Sequence, residues 1–548
     1  MIRTRFALMV LAVVAAPVVA APPNPKETAA AVDKHLATGW EKAKVKPAAP
    51  ADDAEFLRRV YLDLIGRIPH VTEARRFLDD RRPDKRARLV EELLEGRLDP
   101  KKQSRAMPAG YINHFSNVWR ALLLPESNAS FQARLQQPSF QAWLRSRLEK
   151  NIPYDEFVRE LLTAPIAAPQ RRAAVAFGDG DPSPSAFFFA KEFMPENLAA
   201  AASRVFLGVK LECAQCHDHP FATWKRDEFW SMAAFFAGMQ RQGRGDILVP
   251  GRDDPSKREI SIPNTNRTAK AKFLNGKEPE WKEGVGARET LAAWITQPDN
   301  PYFARATVNR LWAHFFGHGL IEPVDEIAGG DNASQFPEVL DALSTAFVAA
   351  KFDLKFLIKS IVLTRAYQLS SRGAAQDPEG LQTFARMPLR GLTPEQLFDS
   401  IATATGYGEE NPNLPPGIVV AGRGGARDEF LTRFATTGDK PTDHQTSILQ
   451  ALALMNGRFV SDATAIDRSV RLSAVLTAPF LDTAGKIEVL YLSAYSRRPT
   501  AKESERIQAV IDERLRGADE RERSRRYQES LADVFWALLN SSEFMLNH

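Results

Sequence analysis

Ligand-type residues crowd together at one place in this 548-residue sequence, Cys213-Ala214-Gln215-Cys216-His217-Asp218-His219-Pro220. Two cysteines at this spacing can present both thiols to the two vinyl groups of one haem and form thioether bonds. The histidine directly after the second cysteine then places an imidazole nitrogen beneath the iron. On this reading Cys213 and Cys216 are covalent anchors for haem c, and His217 is the proximal ligand. Two other chemistries compete for the same residues. Cys213, Cys216, His217 and His219 offer four zinc-compatible ligands within seven residues, although structural zinc sites usually draw on two separated pairs. A C-x-x-C pair is also a dithiol–disulfide couple, whose thioredoxin-type setting has a strand before it and a helix after it. Here a helical pattern precedes the motif.

A haem iron needs a sixth ligand or an open face. Met232 and Met239 are seven residues apart on a predicted helix and would share one side of it; ordinary core packing is the competing account of both. His314, in Asn309-Arg-Leu-Trp-Ala-His-Phe-Phe-Gly317, sits on a strongly aromatic helical stretch and is the ligand candidate from the second half, against the plainer role of a structural histidine. Asn309 and Arg310 could line a polar pocket near it, though a salt bridge explains Arg310 equally well. Gly422-Arg-Gly-Gly425 lacks the strand–turn–helix setting of a phosphate loop. The runs Arg81–Arg88 and Asp519–Arg526 read as solvated helix faces. Neither G-x-S-x-G nor H-E-x-x-H occurs.

The elements that must hold the motif are mostly helical. From Asp52 onward, Phe56, Val60 and Leu64 recur at helical spacing up to the breaks at Gly66 and Pro69. A helix over Pro195–Val209 delivers the chain to the cysteines, and Asp227 is the expected cap of the next. Residues 165–185 read as a long loop. Between 241 and 287 Gly, Pro, Asp and Asn are frequent, and Glu259-Ile-Ser-Ile262 alternates like a strand that Lys270–Leu274 could pair with. Helices resume to the end, interrupted over Gly406–Thr442. Thr393-Pro-Glu-Gln396 and Thr500-Ala-Lys-Glu503 fit the capping-box pattern.

The expected fold class is therefore mainly α: a mobile leader over 21–50 with a short helix near Val32–Trp40, a helical domain over 51–240, a linker or small β-insert over 241–287, and a second helical domain over 288–548. Composition agrees with a globular protein, 44% hydrophobic and 26% charged. A net charge of +4 on this length gives no electrostatic case for nucleic acid.

Arg3 and Arg5 precede the apolar run Phe6–Ala16, and Val18-Val19-Ala20 ends in small residues, the form of a secretory signal peptide over 1–20. The apolar run is short for a membrane span, and no later segment reaches spanning length without charges. The expected location is outside the cytoplasm, periplasmic or extracellular, with no transmembrane segment after cleavage. Both cysteines of the chain lie in the one motif, so no disulfide framework supports the fold and the thiols are better explained by chemistry.

Phe56-Leu-Arg-Arg-Val-Tyr-Leu-Asp-Leu-Ile-Gly-Arg-Ile-Pro69 and Ser203-Arg-Val-Phe-Leu-Gly-Val-Lys-Leu-Glu-Cys-Ala-Gln-Cys-His-Asp-His-Pro-Phe221 resemble the cytochrome-like domain of large planctomycete secreted proteins. Asn300–Gly317, Gln445–Asn456 and Ala537–Phe544 resemble its usual partner, a planctomycete domain of unknown function. The resemblance implies an architecture and a cytochrome-like motif at Cys213, Cys216 and His217, and no defined reaction. Where relatives often read Asn-Pro-x-Ser-His-Pro, this chain has Asn332-Ala-Ser-Gln-Phe336-Pro337, so a histidine role there does not carry over. The expected function is electron transfer or redox chemistry with a redox partner protein. The alternative is a non-haem metal-binding or polysaccharide-associated binding or scaffold protein.

Overall fold

The helix Asp53–Ile65 is specified at both ends. The Asp52 carboxylate accepts the N–H groups of Ala54 and Glu55, and Gly66 (φ +76°) closes the helix with its N–H on the carbonyls of Tyr61 and Leu62. The left-handed turn there also lets His114 approach: a Cβ on Gly66 would stand 2.5 Å from its Nδ1. Periodicity places Phe56, Val60 and Leu64 in the core, yet every residue from Glu55 to Ile65 is buried.

The computed structural model describes residues 23–96, 98–99, 104–105, 109–128, 131–166, 182–218, 222–242, 249–327, 333–407, 426–434, 458–466 and 468–548. They form a mainly helical protein. Among them the strands make four two-stranded antiparallel pairs, and no helix is long and apolar enough to cross a membrane. Segment 1–20, where a signal peptide is expected, most of the 165–185 stretch, Gly422–Gly425 and Gln445–Asn456 lie outside the described residues.

The leader differs from expectation. Residues Pro25–Ala43 form a helix capped by Asn24, with Pro25 in its first turn, and Val32, Leu36 and Trp40 recur every four residues on one buried face. That face packs on the helices Pro337–Ala349 and Leu354–Val362, and Trp40 Nε1 donates to the carbonyl of Thr383 at 2.8 Å. The Ala/Pro/Lys-rich composition hid an apolar stripe long enough to dock.

The irregular middle holds two hairpins, Met239–Gln242 with Val249–Asp253 and Glu259–Ser261 with Thr268–Lys270. The strand at 259 pairs with 268–270, so the partner lies just before the 270–274 expected for it. Both predicted capping boxes form, at Thr393/Gln396 and Thr500/Glu503. Asp227 is in the first turn of its helix and not the cap. The helix Arg226–Ala233 starts after Lys225, where the Glu228 carboxylate accepts the Lys225 N–H at 2.7 Å.

One hydrophobic core runs from Val32 to Phe544. Helix 53–65 is its polar spine. Arg58, fully buried, donates to the carbonyls of Ala494 (3.0 Å) and Phe544 (2.6 Å), and burial lowers its pKa to about 10. Arg59 donates to Tyr367 O, Leu369 O and Glu55, whose carboxylate also accepts from Ser370 and Ser371. Asp63 accepts from Arg390 (2.7 Å), Asn547 (2.7 Å) and the Tyr367 hydroxyl (2.8 Å). These charges leave water only because each finds partners inside.

Candidate functional site

The chain enters the motif through a distorted helix end. Helix Pro195–Ala202 continues into a π-helical turn over Ser203–Leu207, which stops at Gly208 (φ +61°). A wider turn leaves carbonyls poorly satisfied and is frequent beside functional sites. Arg310, on the helix Phe303–Phe316, supplies what is missing. Its Nη2 donates to Arg204 O at 3.1 Å and Val205 O at 3.4 Å, and pairs with Asp325 at 2.6 Å.

A 3-10 turn over Glu212–Gln215 then carries the first thiol, and Cys216 and His217 follow it. Leu211 and Ala214 point into the core and fix which side faces inward, which leaves Cys213, Cys216 and His217 exposed. Both cysteines are free thiols. From below, Trp230 Nε1 donates to Gln215 O at 3.1 Å. Asp218 is tied to the start of helix 226–233, where it accepts the Arg226 N–H (3.0 Å) and pairs with Lys225 (3.2 Å). The amide and the ammonium hold the Asp218 carboxyl below its ordinary range, and a carboxylate suits a helix N-terminus. Burial pushes the neighbouring Glu212 carboxyl up, and its Oε2 has no hydrogen-bond partner.

His217 Nδ1 lies 2.7 Å from Asp218 O. A carbonyl accepts only, so in that contact Nδ1 is the donor, and in the neutral ring Nε2 keeps the lone pair. Two free exposed thiols on one tight turn beside an imidazole in this tautomer fit the donor set of a c-type haem. Among the described residues next to them, Glu212, Asp218 and Lys225 are charged.

The other candidates fall elsewhere. His219 lies outside the described residues. Met232 and Met239 are both core residues and do not share a helix face, because helix 226–233 gives way to a 3-10 turn over 234–236 and Met239 opens a strand. The His314 ring packs against His114 (5.9 Å) and Phe115 (5.8 Å), and its carbonyl accepts from Arg390, which places it in the Asp63 group. Burial, with His314 adding to it, pushes His114 down to about 3, so the His114 ring is neutral there. No group of three or more His, Cys, Asp or Glu suited to a metal ion occurs among the described residues.

Sequence reasoning missed the Arg58–Arg59–Asp63 spine; the salt bridge it offered for Arg310 forms with Asp325, but its bonds to the Arg204 and Val205 carbonyls were not foreseen. Arginines on a helix read as solvated unless burial is known. The available signal was that Arg58, Arg59 and Asp63 leave no fully polar face on an otherwise apolar helix.

Two family models match this chain. Residues 31–241 match PSCyt2, a protein of unknown function (DUF1549), and residues 287–418 match PSD1, a protein of unknown function (DUF1553). Both are planctomycete-type domains of unknown function. No curated protein and no solved structure matches it. The PSCyt2 region contains the thiol turn and helix 53–65; the PSD1 region contributes Arg310, Asp325 and Arg390, so it reaches both the π-turn and the buried spine.

Proposed function

We propose that the turn at Cys213–His217 is a c-type haem attachment site, and that the protein serves electron transfer or redox chemistry with a partner protein after export. The observation that carries this reading is the exposed His217 ring, held by its Nδ1···O contact to Asp218, beside two free, exposed thiols. Cys213 and Cys216 would hold the porphyrin covalently and His217 would be the proximal ligand. Bound there, haem supplies a one-electron iron couple. The chain's own part is to fix the imidazole tautomer through Asp218 and to keep the turn on the surface through Leu211, Ala214 and Trp230. Attachment of haem outside the cytoplasm agrees with the signal-like segment 1–20.

Expression in a host with cytochrome c maturation tests this directly. The expected product has a Soret band and haem staining that survives denaturing electrophoresis, and Cys213→Ser with Cys216→Ser abolishes both. A colourless product made beside a correctly matured control cytochrome overturns the proposal. Stoichiometric zinc in that product, lost in Cys213→Ser, would replace it with the non-haem metal reading.

A further inference from the structure

We infer that the PSD1 region sets the geometry of the thiol turn, with Arg310 as the positioning residue. The turn is anchored from two sides, and the two sides come from different regions. Downstream, Trp230 and Arg226 hold Gln215 and Asp218 from within the PSCyt2 region. Upstream, the grip on Ser203–Gly208 comes from residues 306–327. Arg310 spans the two carbonyls at the end of the π-turn, and Asp325 orients its guanidinium. The Ile327 N–H donates to Gly208 O at 2.8 Å. Gly208 has no room for a side chain, since a Cβ there would stand 2.8 Å from Ile327 Cγ1 and 3.2 Å from the Ala306 Cβ.

The chemistry of the contact explains why arginine is used. The last carbonyls of a helix have no partners of their own and carry the negative end of its dipole. A guanidinium offers several donors in one plane and remains charged when half-buried. Within the Arg310 guanidinium, Nη2 alone donates to both carbonyls and lies 2.6 Å from Asp325 Oδ1 as an ion pair. Removing it frees the π-turn to rewind, and the path of Gly208–Leu211 into the cysteine turn changes with it. The inference concerns the polypeptide alone and stands whether or not haem is the cofactor.

Hydrogen–deuterium exchange on the full chain tests it, read at 203–218, where Val209 N–H donates to Ser203 O and Ala214 N–H to Leu211 O. Arg310→Gln is expected to speed exchange there about tenfold, the loss expected for charge-assisted bonds in a local opening. Asp325→Asn should give a smaller increase, and Arg310→Lys should restore part of the protection through one donor. Arg497→Gln, which breaks an equally arginine-rich clamp on Glu503 and Glu543, is the control and should leave 203–218 unchanged. Unchanged exchange at 203–218 in Arg310→Gln, or the same increase in Arg497→Gln, overturns the inference. If Arg310→Gln does not fold, Asp325→Asn and Arg310→Lys decide it, with protection identical to the parent chain counting against.

Discussion

Asp63→Ala offers the sharpest test of how the fold is held. The Asp63 side chain is 2% exposed and receives three donors: Arg390 and Asn547 at 2.7 Å each, and the Tyr367 hydroxyl at 2.8 Å. Truncation leaves a guanidinium that is 18% exposed without its counter-charge, together with two buried neutral donors. Breaking a buried pair from one side costs about 3–5 kcal/mol. The low end applies, because Arg390 keeps its bond to His314 O. A drop of about 3 kcal/mol in urea unfolding, followed by tryptophan fluorescence, is expected. The double-mutant cycle is more telling. With Arg390→Met the stranded charge is gone, so adding Asp63→Ala should cost at least about 1 kcal/mol less than it does alone. A single-variant cost under about 1 kcal/mol, or a cycle additive within about 0.5 kcal/mol, would refute the view that this pair is buried and mutually dependent.

Three further outcomes follow from particular contacts. Asp33 accepts the Arg365 N–H at 2.7 Å, yet burial raises its carboxyl from 3.8 to about 6. The folded chain therefore holds the extra proton between those values, and stability falls as pH rises from about 4 to about 6; Asp33→Asn should flatten that part of the pH profile of the unfolding midpoint, and an unaltered slope counts against it. Gly39→Ala should gain about 1 kcal/mol of helix propensity but drive a methyl into the Phe336 ring. A net loss of about 1–2 kcal/mol, relieved by Phe336→Leu, is expected in thermal unfolding, and stabilisation would show that the ring yields freely. Trp230→Phe removes the donor to Gln215 O and should cost about 1 kcal/mol, with faster exchange confined to 211–218; no local change would mean the turn does not lean on the indole.

The helical class and both capping boxes were legible because each depends on neighbours in sequence. Thr393 and Thr500 need only a residue three positions on, and the tight spacing of Cys213, Cys216 and His217 is itself the motif. Legibility ended where partners are distant. The stripe Val32–Leu36–Trp40 looked like a leader because the surface it docks on is built by residues 337–362. The Met232–Met239 face was lost to a single 3-10 turn over 234–236 that shifts phase without a Gly or Pro to announce it. His314 reads in the sequence as either a ligand or a structural histidine because an aromatic helix gives no sign of which neighbour its ring will meet, and its ring meets His114, 200 residues upstream.

The same reasoning bears on how the two family regions relate. Helix 53–65 belongs to the first, but the groups its buried side chains satisfy are at 367–371, 390, 494 and 544–547. A buried guanidinium cannot await a partner at low cost, so a PSCyt2 region cut free at the 241–287 hairpins would expose Arg58, Arg59 and Asp63 to a surface shaped for carbonyls that are no longer there. The pull runs the other way at the π-turn, where Arg310 of the second region completes a helix end of the first. Arg59 and Asp63 of the first region thus draw partners from the second, whereas Arg58 draws its partners from beyond residue 418. The Arg310–Asp325 pair that holds the π-turn sits nearer the surface than this spine, with the Arg310 side chain 15% and the Asp325 side chain 28% exposed.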